Sequence, residues 1–127
     1  MKLNPKLYRV ILPVNNIEKA TSFYKKLFKM NGKRVSPGRH YFNLGGVILA
    51  CYDSKADGDK MGFSPNPDHI YISIEELDEF FKFALKLEWI KIDKKITKWP
   101  WGERSFYVKD PFGNPLCFVD SKTIFIG

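Results

Sequence analysis

Two stretches of the chain repeat one pattern of apolar and polar positions. The first is "RVILPVNNIEKATSFYKKLFK" from Arg9, and the second is "HIYISIEELDEFFKFALKLEW" from His69. Each opens with a short alternating run, crosses a polar junction, and continues with apolar residues at three- and four-residue steps. Alternation predicts a half-buried strand, and the longer step predicts a helix with one apolar stripe. The offset is 60 residues throughout, from Arg9 to His69, Val14 to Ile74, Phe23 to Phe83 and Leu27 to Leu87. The first stripe comprises Ile17, Ala20, Phe23, Tyr24, Leu27 and Phe28; the second comprises Leu77, Phe80, Phe81, Ala84, Leu85 and Leu87, each wide enough to face a sheet. Asn15 or Asn16 is suited to cap the first helix, and Asn31-Gly32 to stop it after lysines 25, 26 and 29. Glu75, Glu76, Asp78 and Glu79 put negative charge in the first turn of the second helix, where the helix dipole favours it.

Strand-like runs separated by turn residues follow each helix. They are "KRVS", "RHYFNL" and "VILACYD" in the first half and "KIDKKITKW", "ERSFYVK" and "PLCFVD" in the second. The polar, Gly- and Pro-rich segment 54–68 lies between them. The expected organisation is therefore α+β: two βαβββ modules, about 5–53 and 69–120, within one domain spanning 1–127. Half a chain of this size is marginal alone, so the two modules are expected to share a core.

Alternation also assigns faces. Val10, Leu12 and Val14 should pack against the helix, leaving Arg9 and Ile11 on the opposite side. In the second half Ile70, Ile72 and Ile74 should face the helix, leaving His69, Tyr71 and Ser73 opposite. On the final strand the same parity leaves Cys117 and Val119 on the side away from the helix. The turn "DPFGN" between the last two strands reads as purely structural, because Asp-Pro starts a turn and Gly113 or Asn114 tolerates a positive φ.

Composition narrows the function classes. With 44% hydrophobic and 16% aromatic residues the chain is globular rather than disordered. No apolar run approaches the roughly 20 residues of a membrane span, so no membrane partner is expected. The start "MKLNPKLYRV" lacks an apolar core, so no signal peptide is expected. Cys51 and Cys117, far apart and without C-x-x-C spacing, read as reduced thiols of a cytoplasmic protein. The net charge of +7 comes from basic residues spread over the chain, with no block of five or more. No nucleic-acid partner is expected, and a lysine-rich solvated surface or an anionic small ligand accounts for the charge.

The paired modules, with "LPVNNIEKATSFYKKLF" near the start and "WGERSFYVKDPFGNPL" near the end, resemble the vicinal oxygen chelate superfamily. Glyoxalase I, fosfomycin-resistance thiol transferases, extradiol dioxygenases and bleomycin-resistance proteins belong to it. The resemblance implies a cup-shaped mixed sheet with a pocket, a homodimer and a small-molecule ligand. In metal-dependent members it also implies a histidine on the first strand, a second at the start of the fifth, and a glutamate on the last. The matching positions here are Arg9, His69 and Cys117, and a further carboxylate of glyoxalase I falls at Leu49 or Ala50. Arginine has no lone pair to donate, and the set falls short of the three protein ligands that a catalytic zinc site needs. No metal or other cofactor is therefore expected.

Candidate ligand-binding residues are Arg9, His69, Tyr71, Trp99, Trp101, Arg104 and Cys117. Arg9 needs an internal carboxylate or an anionic ligand on an otherwise apolar strand. His69 is the best candidate for acid–base work and is equally suited to be a hydrogen-bonded strand residue. Cys117 is a small hydrophobe, or a thiolate if Arg9 lies near it. In "KWPWGER" the two indoles and Arg104 could stack on a planar ligand and pair its charge, or form a dimer contact. Tyr41, Phe42 and Tyr107 could add aromatic walls, and His40 reads as a surface strand residue. Two functions follow. One is a metal-free protein binding a small anionic or aromatic molecule, similar to the bleomycin-resistance proteins. The other is a lyase or thiol transferase of the glyoxalase I or fosfomycin-resistance type with a rearranged site; dioxygenase chemistry is disfavoured.

Overall fold

The computed structural model describes residues 1–127, and their contacts divide them into two compact units, Met1–Pro65 and Asn66–Gly127. The first contains β1 (Arg9–Pro13), α1 (Ile17–Phe28), β2 (Lys33–Ser36), β3 (Arg39–Leu44) and β4 (Val47–Tyr52). Its sheet runs β1-β4-β3-β2, with β1 parallel to β4 and the other pairs antiparallel. The second contains β5 (Ile70–Ile74), α2 (Leu77–Ala84), β6 (Lys91–Ile92), β7 (Thr97–Lys98), β8 (Arg104–Lys109) and β9 (Pro115–Asp120). Its sheet runs β5-β9-β8-β6, with β7 also paired to β8. Both units thus have the expected βαβββ plan. The run "KIDKKITKW" forms β6 and β7 rather than one strand. At the break the Asp93 carboxylate accepts the Tyr107 amide at 2.8 Å, taking the place of a ladder carbonyl.

Register makes the repeat explicit. Facing their helices, the rows Val10–Leu49–Phe42 and Leu12–Cys51–His40 in the first sheet correspond to Ile70–Leu116–Val108 and Ile72–Phe118–Phe106 in the second. On the opposite face, Ile11–Ala50–Tyr41 corresponds to Tyr71–Cys117–Tyr107. In the first unit Tyr24 and Phe28 of α1 pack on Phe42, with ring centres 6.1 and 5.9 Å away. In the second, Phe80 meets Phe118 at 4.8 Å and Phe81 meets Phe106 at 4.9 Å. Two expectations fail here. Phe42 is a core residue with no exposure, not an aromatic wall of the other face. His40 is buried rather than superficial, because its row faces α1, and its Nε2 donates to the Asn31 carbonyl at 2.8 Å.

The helix ends follow local chemistry. Asn16 is the N-cap of α1, its side chain accepting from the Lys19 amide at 3.0 Å. The helix stops before Asn31-Gly32, with Lys29 in the left-handed conformation at φ 52°. The second helix ends at Ala84, which turns Leu85 out of the apolar stripe to 50% exposure.

An aspartate at the end of the last strand ties each helix to its sheet. Asp53, immediately after β4, accepts the amide of Ile17, the first residue of α1, at 3.2 Å. The corresponding Asp120 works through an intermediary. Its Oδ2 accepts from Arg104 at 2.6 Å, and the other arm of the same guanidinium reaches Asp78, in the first turn of α2, at 2.8 Å. The "DPFGN" turn closes similarly: the buried Asp110 carboxylate accepts the amides of Phe112 and Asn114 and the Asn114 side-chain amide, at 2.8–3.0 Å.

The Asp120 carboxyl is held below the usual carboxylate range, chiefly by the Lys122 amide, with Arg104 adding to it against the cost of burial. A depressed folded-state pKa contributes stability above the unfolded value and loses it as pH falls through the folded value. Asp120→Ala is therefore expected to destabilise the chain by about 1–3 kcal/mol at pH 7. In urea unfolding the gap to the wild type should narrow below pH 4, where the wild type loses the same interaction.

Candidate functional site

The side of the second sheet that faces away from α2 carries an aromatic cluster. Tyr71 on β5 and Tyr107 on β8 flank Cys117 on β9 in direct register. A hydrogen bond joins the two tyrosine side chains, so the phenols roof the small residue between them and leave Cys117 only 1% exposed. The His69 ring, just ahead of β5, lies 4.7 Å from the Tyr107 ring and 6.5 Å from that of Tyr71. On the other flank Trp99 stands 6.1 Å from Tyr107 and stacks on Trp101, with centroids 5.5 Å apart and planes 8° from parallel.

The indoles are fixed by their N–H groups. Trp99 donates to Ser105 Oγ at 2.8 Å and Trp101 to Glu103 Oε1 at 2.9 Å. Glu103 Oε2 also accepts the Phe125 amide at 3.0 Å. These bonds hold the Glu103 carboxyl below its ordinary range, the Phe125 amide contributing most. One face of Trp101 rests on Trp99, and the side chain is 48% exposed. Tyr71 is 62% exposed, and His69 is exposed as well. The cluster thus presents open ring faces over a buried, hydrogen-bonded floor.

Burial favours the protonated forms of two of its groups, the Cys117 thiol and the Tyr107 phenol. Burial pushes the Cys117 thiol up to about 11, and the carboxylates of Glu103 and Asp93 add to the effect; a hydrogen bond to Ser105 offsets part of it. Burial likewise pushes Tyr107 up to about 12, helped by the neighbouring Cys117 and Tyr71. Cys117 is accordingly a small buried hydrophobe with a weak donor, and the thiolate alternative has no support from its surroundings.

The expected grouping of Trp99 and Trp101 with Arg104 is divided. Arg104 falls on the α2 side of β8, one residue out of phase with Ser105 and Tyr107, and both arms of its guanidinium are taken by Asp120 and Asp78. Its role is the helix clamp. In the first unit, Arg9 lies on the face away from α1 and is exposed. It donates to Tyr41 Oη at 2.9 Å, with its guanidinium carbon 5.3 and 5.7 Å from the Tyr8 and Tyr41 ring centres. Ala50, and not Leu49, shares that face. Within neither unit do three His, Cys, Asp or Glu side chains come together as metal ligands. Sequence reasoning missed Ser105 and Asp93. Ser105 is in phase with Tyr107 and could have been found by alternation. Asp93 sits where the strand ladder breaks and gave no signal.

A pair of mixed sheets, each with one helix on one face and a functional-looking cluster on the other, is the arrangement of a known protein class. The chain belongs to the Glyoxalase/Bleomycin resistance protein/Dioxygenase superfamily, whose family model matches residues 6–118. It is 31% identical over 105 residues to the protein named Metallothiol transferase FosB of Shouchella clausii (strain KSM-K16), spanning 81% of this chain and 71% of that one. Among solved structures it resembles a glyoxalase-related enzyme from Fulvimarina pelagi, with a TM-score of 0.75 and 17% identity over 96% of this chain and 92% of that one. A lactoylglutathione lyase from Agrobacterium tumefaciens is similar at a TM-score of 0.70 and 20% identity, over 95% of this chain and 97% of that one. At these identities the structural likenesses establish the fold.

The buried, protonated thiol gives a direct test. At neutral pH Cys117 should hold roughly a hundredfold less thiolate than an ordinary cysteine. Iodoacetamide at pH 7.5 is expected to leave it unmodified in the native protein and to label it on unfolding, as read by peptide mass spectrometry. Rapid labelling of the native protein would contradict the assignment.

Proposed function

We propose that this member of the superfamily binds a planar aromatic molecule on the second sheet, without a metal ion. The observation that carries this reading is the stacked Trp99–Trp101 pair beside Tyr107, Tyr71 and His69, with ring faces left open. Rings held by hydrogen bonds lose little freedom when a flat ligand stacks on them, and aromatic pairs contribute about 0.5–1.5 kcal/mol each beyond burial.

The side chains present do not suit the divalent ion of the metal-dependent relatives. Of the three matched positions only His69 has a free lone pair to give. Arg9 is a fixed cation engaged with a phenol, and Cys117 is a buried, protonated thiol. Addition of Ni, Zn, Mn or Fe salts is therefore expected to leave the melting temperature unchanged. In calorimetric titration with a panel of aromatic carboxylic acids, binding is expected for at least one, weakened about tenfold or more by Trp101→Ala. An absence of binding at millimolar concentrations across the panel, or a metal-induced rise in melting temperature, would overturn the reading.

The 31% identity to a metallothiol transferase favours one alternative, a lyase or thiol transferase with a rearranged site. In that case His69 serves as acid–base. Thiol consumption in the presence of an electrophile, abolished by His69→Ala, supports the enzyme; turnover that survives that substitution removes His69 from the role.

A further inference from the structure

The charge of this chain is not evenly distributed, although its basic residues look scattered along the sequence. The first unit carries twelve Lys and Arg against four Asp and Glu, and the second nine against ten. The whole excess therefore belongs to the first unit. Within it, Glu18 is the sole acid in residues 1–52.

The fold then separates the two signs. All four carboxylates stand at the end where α1 begins and β4 finishes, as the Ile17–Asp53 hydrogen bond shows. Each is engaged there: Glu18 with Arg34, Asp53 with α1, Asp57 with Arg39 and Asp59 with the Tyr52 hydroxyl. At the opposite end β1 begins and α1 terminates. Arg9 opens β1, Lys2 and Lys6 lie in the segment leading into it, and Lys25, Lys26 and Lys29 occupy the last turn and cap of α1. All six are exposed, and no carboxylate of this unit stands at that end. A helix C-terminus favours lysines, which accounts for three of the six; Arg9 is engaged with Tyr41 and Tyr8, and Lys2 and Lys6 have no such local reason.

Apolar side chains are interspersed with these cations. Leu3, Leu7 and Tyr8 are 64–76% exposed, and Met30, just beyond α1, is 36% exposed. Cations alone suit any polyanion. Cations mixed with exposed Leu, Tyr and Met suit a surface that is negatively charged outside and apolar beneath.

We propose that this pole of the first unit is a peripheral docking surface for an anionic lipid bilayer. Such contact needs no spanning segment, and no helix here is long and apolar enough to provide one. The surface is independent of the aromatic cluster on the second sheet. Nucleic acid is the competing polyanion, and the exposed apolar residues argue against it.

The test is co-sedimentation of the full chain with vesicles of phosphatidylcholine alone or containing 30% phosphatidylglycerol, at about 50 mM salt where screening is weak. Binding is expected to be at least tenfold stronger to the anionic vesicles and to fall steeply by about 300 mM salt. Charge reversal at Lys2, Lys6, Lys25 and Lys26 to Glu should abolish it, whereas Lys82→Glu with Lys86→Glu in the second unit should not. Because glutamate at a helix C-terminus opposes the dipole, a Gln series at the same four positions serves as the folded control and should weaken binding in steps. Leu3→Ser with Leu7→Ser should weaken vesicle binding with the charge unchanged. Equal partition onto neutral and anionic vesicles, no binding to either, or insensitivity to the four substitutions would overturn the proposal. So would tighter binding to duplex DNA than to vesicles at equal anionic charge.

Discussion

The fold rests on a carboxylate placed where the last strand of each module ends. In each unit apolar side chains of one amphipathic helix pack on one face of a short-stranded sheet. Apolar burial has no direction, however, and does not fix where along the sheet the helix begins. Asp53 and Asp120 supply that position. Asp53 accepts an amide from the first residue of α1, and Asp120 holds Arg104, whose other arm takes Asp78 in the first turn of α2. One amide or one guanidinium thus sets the phase of a helix relative to three strands. The first device satisfies an amide that the helix N-terminus would otherwise leave open, and the second anchors its helix through a side chain of the first turn.

With the helix side committed to packing, the opposite face of each sheet is free to vary, and the two modules have used that freedom differently. The row Ile11–Ala50–Tyr41 leaves room for Arg9 to lean on Tyr41. The row Tyr71–Cys117–Tyr107 has phenols on both sides of its small central residue, and they close over it. This closure keeps the thiol buried, and burial favours its protonated form. It also explains why the aromatic side chains around it are ordered: each polar atom of Trp99, Trp101 and Tyr107 already has a partner inside the unit. The molecule carries its whole positive excess in the first unit, whereas the aromatic face belongs to the second. Its net charge therefore says little about what its aromatic face prefers.

Much of the architecture was legible because helix and strand periodicities differ and because the pattern occurs twice. Both helices and the strand faces came from spacing; residue type narrowed the cap to Asn15 or Asn16 and marked "DPFGN" as a turn. The candidate site was legible residue by residue but not as a set. Alternation placed Tyr71 and Cys117 on one face correctly, and the same rule, had it been applied to β8, would have sent Arg104 to the other. Proximity in "KWPWGER" suggested a cluster that the strand period forbids. His40 failed for a related reason: a histidine on a strand is equally compatible with either face until a neighbour such as Phe42 is known to point inward. Asp93 depends on where the chain breaks its ladder, which no local pattern records, whereas the division of charge follows from counting once the two halves are separated.

The registers of the two sheets also measure how much change in length the fold accepts. The separation between matching positions grows from 60 residues (Ile11 to Tyr71) to 66 (Tyr41 to Tyr107) and 67 (Ala50 to Cys117). Every added residue lies between helix and third strand or in the last hairpin turn, and none lies within a paired row. A single extra residue inside β9 would send Cys117 into the core and Phe118 out beneath the tyrosines, reversing both faces at once. Insertions meant to reshape this protein therefore belong in the Lys86–Gly102 stretch or the Asp110–Asn114 turn, where the second module already differs from the first.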